Sequence, residues 1–327
     1  MRGLVDLIHC TITMTSTSTP PSNCTVRPLQ FNESYLSEID GVIFDCDGVL
    51  WHEDTLIGGA AETIAKLHSH NKKILFCSNN SSKSRAEYIN KINELQLCPR
   101  DMNVDESIFY CSSYAAAHYL TTQTKFNKAS DIVLTIGGSG IANELKLHNV
   151  PYIETRLLLG DSHIQKQKLI DLKLDSNIRA VIAGIDDKFT YSKCCYASTA
   201  LLQHGDNHDT QTLFISTNQD RTLPTAGNLL PGGGSVIAMI STASSRIPIN
   251  VGKPESYMLD LIVQQHQLNK SRILMVGDRL DTDILFGNHG GIRTLLVSKT
   301  GVSSESDMGK QNIYPTYITD SVASIFK

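Results

Sequence analysis

Two aspartates separated by one residue directly follow a short apolar stretch, Gly41-Val42-Ile43-Phe44. Asp45 and Asp47 can both reach the end of the strand that this stretch predicts. Carboxylates face a phosphate group only when a metal cation offsets their charge, and Mg²⁺ binds carboxylate oxygens together with substrate phosphate. The pattern predicts that Asp45 attacks phosphorus while a protonated Asp47 donates to the leaving oxygen. Gly48 permits the unusual backbone turn that follows.

A second polar group, Ser78-Asn79-Asn80, ends another apolar stretch and precedes a predicted helix. Its hydroxyl, amide and backbone N–H groups suit the oxygens of a phosphate, so we interpret all three residues as substrate-binding. A simple helix N-cap remains the alternative for Asn80.

Two later segments add one cation and more carboxylates. Lys253 lies between Gly252 and Pro254, before a predicted helix, where its charge would neutralise the nucleophile and the phosphate. A solvated surface lysine is the alternative. Asp278 follows the apolar stretch 273–276, and we assign it to the metal. Asp283 is a secondary candidate, although an acid at a helix N-terminus would also explain it.

The elements that position these residues alternate between strands and helices. Helical spacing occurs at 60–70, 84–97, 114–120, 141–147, 191–204 and 257–265. Short apolar strands are predicted at 41–44, 74–77, 107–111, 132–136, 180–185, 213–217, 273–276 and 294–297. This alternation predicts an α/β fold with parallel sheets covered by helices. Ligands of such sheets bind beyond the carboxyl ends of the strands. The strands that end in the candidate site residues lie far apart in sequence, so we interpret the middle of the chain as an insertion into one doubly wound domain.

Composition limits the class of protein. The chain has 327 residues, a length that suits two domains, and a formal charge of −4, which offers no basic surface for nucleic acid. No apolar run approaches the roughly 20 residues that span a bilayer. Eight cysteines include no C-x-x-C pair, so we expect reduced thiols, no zinc and a cytoplasmic location. A mitochondrial location is the alternative, although a presequence would carry more arginine and no Asp6.

The four polar segments together resemble the motifs of the haloacid dehalogenase superfamily of phosphohydrolases. The resemblance implies Mg²⁺ held by Asp45, the backbone carbonyl of Asp47, and Asp278. It also implies a phosphate-binding hydroxyl at Ser78, the motif lysine at Lys253 and a helper acid at Asp283. The segments 78–85, 217–220 with Pro224, 231–235 and 277–283 are similar to the 4-nitrophenylphosphatase and phosphoglycolate phosphatase family.

The resemblance covers residues from about 39 to 302 and implies a Rossmann-like core with a large inserted α/β cap. We therefore predict a disordered tail at 1–35, a core at 36–121 and 248–327, and a cap at 122–247. Trp51 is expected at the cap hinge. The expected substrate is a small phosphorylated metabolite, with neither nucleic acid nor membrane as partner, and the resemblance implies a homodimer formed through the cap.

The same motifs are also compatible with other functions. The enzyme could act on another small metabolite or on a phosphoprotein, and a regulatory protein that kept the fold without turnover is a further alternative. A dehalogenase would not need Asp47, and a phosphomutase would carry a smaller cap at another place.

Overall fold

The computed structural model describes residues 26–29, 31–159, 164, 166–205, 207, 211–223 and 228–326. Most of the predicted tail, and Pro224, lie outside these residues. The predicted tail nevertheless ends too late. Arg27–Pro28 forms a parallel strand with Tyr317–Ile318, and Glu33–Glu38 is a helix capped by the side chain of Asn32. Phe31 and Tyr35 stack on each other and are buried, so apolar packing attaches this segment to the core.

The first part of the chain alternates strands and helices as the sequence predicts. Its elements are β1 (Arg27–Pro28), α1 (Glu33–Glu38), β2 (Gly41–Phe44), β3 (Trp51–His52), β4 (Thr55–Leu56), α2 (Ala60–Ser69), β5 (Lys73–Ser78), α3 (Arg85–Glu94), β6 (Phe109–Cys111) and α4 (Ser112–Gln123). The predicted strand at 107–111 is shorter than expected because Glu106–Ile108 forms a 3-10 turn.

The middle part carries a second series of elements. They are β7 (Ile132–Ile136), α5 (Ser139–Leu147), β8 (Tyr152–Glu154), α6 (Thr155–Leu159), α7 (Lys166–Ile170), β9 (Ile178–Ala183), α8 (Tyr191–Leu202), β10 (Leu213–Ser216), β11 (Thr222–Leu223), β12 (Leu230–Pro231), α9 (Gly233–Ser244) and β13 (Ile249–Asn250).

The last part returns to the first sheet. Its elements are α10 (Tyr257–His266), a 3-10 turn (Lys270–Arg272), β14 (Ile273–Gly277), a π-helical turn (Leu280–Ile284), α11 (Leu285–Gly290), β15 (Arg293–Val297), α12 (Asp307–Gln311), β16 (Tyr317–Thr319) and a 3-10 turn (Val322–Ser324).

Two parallel sheets organise these elements. The larger sheet has the order β1-β16-β15-β14-β2-β5-β6, and the smaller sheet has the order β13-β10-β9-β7-β8. The strands of the larger sheet come from both ends of the chain, which confirms the α/β fold with an inserted unit. The smaller sheet includes Ile249–Asn250, so the insertion continues past the predicted boundary at residue 247.

Burial explains why the central strands of the larger sheet are so apolar. Every residue of β2 and of β14 is buried, as expected for a parallel sheet that is covered on both faces. The six described cysteines are free, and four of them lie in the buried interior. Within the described residues, no helix combines the length and apolar character that a membrane crossing requires.

Candidate active site

Three neighbouring strands deliver the predicted residues to one edge of the larger sheet. β2 lies between β14 and β5, and all three run parallel, with Phe44 paired to Val276 and to Phe76. Their carboxyl ends therefore lie side by side. Asp45 follows β2, Ser78 ends β5, and Asp278 follows β14. Segments from opposite halves of the chain meet here, as the sequence predicts.

Lys253 lies at the centre of the site. Its ammonium donates to Asp45 Oδ1 at 2.7 Å, to Asp283 Oδ1 at 2.6 Å and to the carbonyl of Cys77 at 2.9 Å. The lysine side chain is almost fully buried. Burial alone would lower the pKa of Lys253, but the charges of Asp283 and Asp45 outweigh it and hold the pKa well above its usual value. This burial excludes the alternative that Lys253 is a solvated surface residue.

Asp45, Asp278 and Asp283 each bring a carboxylate oxygen into one group, in which these oxygens lie within 4.8 Å of one another. The two acids at the strand ends are only 8% and 2% exposed. Burial, followed by the charges of Asp283 and Asp278, raises the pKa of Asp45 well above its usual value. Burial and the charge of Asp283 likewise raise the pKa of Asp278 to about 7.

This group fits a hard divalent cation. The Lys253 ammonium contacts two of the three buried carboxylates, those of Asp45 and Asp283, so a bound cation would offset the remaining negative charge. The donors are all oxygens, which is the set that Mg²⁺ prefers. Asp283 is the least available donor, because its second oxygen accepts from the backbone N–H groups of Asp278 and Arg279 at 3.2 and 3.1 Å. Asp45 and Asp278 are therefore the carboxylates that would hold the ion.

Gly48 adopts the predicted turn. Its φ of +84° lies in the left-handed region. A Cβ atom there would approach Asp278 Oδ2 to 2.6 Å, so glycine allows the turn to pass directly beside the acid. The same Oδ2 accepts from the backbone N–H of Val302 at 2.8 Å, which fixes the orientation of the carboxylate.

Asp47 occupies a different position from the other acids. Its carboxylate is not part of the Asp45–Asp278–Asp283 group; instead Oδ1 accepts from the indole N–H of Trp51 at 2.9 Å. Burial raises the pKa of Asp47, against the opposing charge of Lys91 and the Trp51 hydrogen bond. A raised pKa favours the protonated carboxyl that a general acid needs.

Trp51 is the residue whose role sequence reasoning missed. It was expected at the cap hinge, but it is fully buried in the core and contacts Asp47 and Lys91. The Lys91 ammonium lies 4.7 Å from the centre of the indole ring. The available signal was the position of Trp51, four residues after Asp47 across the turn at Gly48.

The segment after β5 provides the polar groups expected of a phosphate cradle. Ser78 Oγ accepts from the backbone N–H of Asn80 at 3.1 Å, so the chain turns sharply at this point. Asn80 Oδ1 accepts from the backbone N–H and hydroxyl of Ser82, a local turn rather than a cap of α3. The cap residue of α3 is Ser84, which forms a capping box with Glu87.

The inserted unit also reaches the site. Asn218 donates to the carbonyl of Asn79 at 2.7 Å, and Asp220 Oδ1 accepts from the side chain of Asn79 at 2.9 Å. Arg279, directly after Asp278, donates to the carbonyl of Thr222 at 3.3 Å. The segment 217–222 thus contacts the residues that follow β5 and those that follow β14. The sequence analysis used this segment only for its resemblance to the family.

Comparison with known proteins agrees with this geometry. Residues 42–151 match the model of the haloacid dehalogenase-like hydrolases, and residues 250–325 match a second model of HAD-like hydrolases. Phosphoglycolate phosphatase 1A of Arabidopsis thaliana is 36% identical over 96% of this chain and 84% of its own length. The 4-nitrophenylphosphatase of Schizosaccharomyces pombe is 33% identical over 91% of this chain and 96% of its own length.

A solved structure extends the likeness to three dimensions. Glycerol phosphate phosphatase of Mycobacterium tuberculosis, in complex with magnesium, superposes with a TM-score of 0.70 at 27% identity and covers 90% of this chain and 78% of its own. Two family models, these relatives and the assembled carboxylates and lysine lead to one conclusion. The chain belongs to the haloacid dehalogenase-like hydrolases and is a phosphomonoesterase of that family.

Proposed function

We propose that this enzyme hydrolyses small phosphate monoesters, of the phosphoglycolate or 4-nitrophenyl phosphate type, through a phosphorylated Asp45. The observation that carries the proposal is the contact of Lys253 with Asp45, at 2.7 Å, inside a group of three buried carboxylates. The names of the relatives support these substrate types.

In the first step, a carboxylate oxygen of Asp45 attacks phosphorus and the bond from phosphorus to the ester oxygen breaks. Asp47 gives its proton to the departing oxygen, so an alcohol leaves. In the second step, Asp47 takes a proton from water, whose oxygen attacks the same phosphorus. The bond from phosphorus to Asp45 breaks and inorganic phosphate is released.

The remaining residues bind and orient. Lys253 holds Asp45 and offsets the charge of the phosphate, while Ser78 and Asn80, with Gly48, surround the phosphate oxygens. Asp45, Asp278 and the backbone carbonyl of Asp47 would hold Mg²⁺, which when bound offsets negative charge on the carboxylates and phosphate. Asp283 acts by accepting from the Lys253 ammonium and from the backbone N–H groups of Asp278 and Arg279.

We also propose a cytoplasmic enzyme that acts on a small phosphorylated metabolite and forms a homodimer through its cap. The free cysteines support a reducing compartment. Light scattering of the purified chain measures the oligomeric state, and a monomer would contradict the dimer.

The test is a steady-state assay with 4-nitrophenyl phosphate, 2-phosphoglycolate, glycerol 3-phosphate and a phosphopeptide, in Mg²⁺ and in EDTA. We expect hydrolysis of at least one small ester, its loss in EDTA and its recovery when Mg²⁺ is added back. Preference for the phosphopeptide, or full activity in EDTA, would contradict the proposal.

Asp45→Asn should lower kcat more than about 1000-fold, or about 4 kcal/mol in barrier. Asp260→Asn is the matched control, because Asp260 is a half-exposed acid paired with Lys270. Activity of Asp45→Asn within about tenfold of the wild type would exclude a nucleophilic role for Asp45.

A further inference from the structure

The side chain of Asn79 is occupied by the protein itself. Oδ1 accepts from the backbone N–H of Lys253 at 2.7 Å, and Nδ2 donates to the carbonyl of the same lysine at 3.0 Å. Asn79 therefore holds both polar groups of one backbone residue. The contact spans the chain from β5 to the loop before α10 and is fully buried.

The second hydrogen of the amide goes to the inserted unit. Nδ2 donates to Asp220 Oδ1 at 2.9 Å. An asparagine amide has two N–H donors, and both are used here. At 8% exposure, Asn79 has no amide donor left for a substrate unless one of these bonds breaks. The side-chain amide of Asn79 therefore does not fit the role of a phosphate donor.

The packing around Asn79 is also tight. A Cβ atom on Gly252 would lie 2.9 Å from Asn79 Oδ1 and 2.2 Å from the carbonyl of Thr217. The backbone of Asn79 is held as well, because its carbonyl accepts from Ser112 at 2.6 Å and from Asn218 at 2.7 Å. A displacement of the segment 217–220 would therefore also displace Asn79.

The consequence concerns the lysine that contacts the nucleophile. Lys253 is held at its ammonium by Asp45 and Asp283, and at its backbone by Asn79. We propose that Asn79 is a positioning residue that sets Lys253 against Asp45 and links it, through Asp220, to the inserted unit. This proposal deepens the function proposed above and rests on it.

The first test compares Asn79→Ala with the wild type on three esters: 4-nitrophenyl phosphate, 2-phosphoglycolate and glycerol 3-phosphate. A residue that positions Lys253 does not contact the organic group of the ester. The kcat of Asn79→Ala should therefore fall about tenfold or more, by the same factor for each ester that the wild type hydrolyses. A loss confined to one ester, carried by KM, would indicate direct contact with the substrate and overturn the proposal.

Asn143→Ala is the matched control. Asn143 also joins the inserted unit to the core, since its Nδ2 donates to Glu87 Oε2 at 3.2 Å, but it makes no contact with Lys253. We expect kcat of this variant to stay within about twofold of the wild type. An equal loss in both variants would mean that Asn79 acts only by attaching the inserted unit.

The second test is rescue across the pair. Asn79→Asp removes the amide donors and sets a carboxylate against Asp220, so it should lower kcat. Adding Asp220→Asn restores a hydrogen-bond donor between the two positions. The kcat of this double variant should be at least about fivefold higher than that of Asn79→Asp alone. Absence of any recovery would contradict the link through Asp220.

A crystal structure of Asn79→Ala gives a readout that does not depend on turnover. The Lys253 ammonium should leave hydrogen-bond range of Asp45 Oδ1, and an unchanged contact would overturn the proposal. If the wild-type chain hydrolysed no ester, the proposed function would fail while this measurement still tested the position of Lys253. Circular dichroism shows whether each variant folds. If Asn79→Ala does not fold, the comparison of Asn79→Asp with its Asp220→Asn double variant tests the proposal.

Discussion

At the scale of single residues, the site is defined by an imbalance of charge. Asp45, Asp278 and Asp283 are buried together with one ammonium, that of Lys253. Burying carboxylates is costly unless they are paired or hold a cation. The proposed metal ion and phosphate, whose charges oppose each other, would account for this arrangement.

Trp51→Phe tests how Asp47 is oriented. The substitution keeps an aromatic ring beside Lys91 but removes the N–H that donates to Asp47 at 2.9 Å. We expect kcat to fall about tenfold for alkyl phosphates, which need protonation of the leaving oxygen, and much less for 4-nitrophenyl phosphate. An equal loss for both esters, at an unchanged melting temperature, would contradict this role.

Sequence patterns identified the residues that end strands, because a strand end is a local property. Asp45, Ser78 and Asp278 were found in this way, and their assembly follows from the parallel pairing of β14, β2 and β5. The contacts of Trp51 and Asn79 depend on side-chain directions across 4 and 174 residues of sequence, respectively. No periodicity encodes such contacts, so sequence patterns do not reveal them.

At the scale of elements, the inserted unit is attached at the start of α3. Glu144 of α5 is fully buried, accepts from the backbone N–H of Arg85 at 2.7 Å and pairs with its guanidinium at 3.3 Å. Gly140, one turn earlier, packs so closely that a Cβ atom would lie 2.4 Å from the backbone of Lys83. A helix of the inserted unit thus contacts the first turn of a core helix, whose cap residue is Ser84.

Glu144→Ala should therefore destabilise the protein. The change removes one partner of a buried ion pair. Among the described residues, the guanidinium of Arg85, which is 14% exposed, then keeps the partly exposed Glu106 as its acidic partner. We expect a loss of about 3 kcal/mol in the free energy of unfolding, measured with urea.

The control for that measurement is Asp260→Ala. This acid pairs with Lys270 at the surface, where the two side chains are 53% and 41% exposed, and should contribute less than about 1 kcal/mol. Similar losses of unfolding free energy in the two variants would show that burial does not make the Arg85–Glu144 pair more important for stability than the Lys270–Asp260 pair.

At the scale of the whole molecule, folding brings distant acids to one edge of a sheet, and burial raises the pKa values of Asp45 and Asp278. Burial and the charge of Asp283 raise the pKa of Asp278 to about 7. Without a metal, the Asp278 carboxyl then binds more protons in the folded chain than in the unfolded chain between about pH 4 and pH 7. The contribution of Asp278 to the stability of the folded chain should therefore fall as the pH rises through this range.

Mg²⁺ should offset that loss by binding the ionised carboxylates. We expect Mg²⁺ to raise the melting temperature more at about pH 8 than at about pH 5.5, because protons compete for the site at the lower pH. The Asp278→Asn variant serves as the control and should gain little at either pH. A gain in the wild type that is equal at both pH values would contradict the account.

Trapping the intermediate tests the central claim most directly. The enzyme is mixed with 4-nitrophenyl phosphate and Mg²⁺, quenched in acid within a turnover and reduced with borohydride, which converts an aspartyl phosphate to homoserine. Peptide mapping should find homoserine at position 45 in the wild type and none in Asp45→Asn. Homoserine at another aspartate, or turnover without any phosphorylated carboxylate, would contradict attack by Asp45.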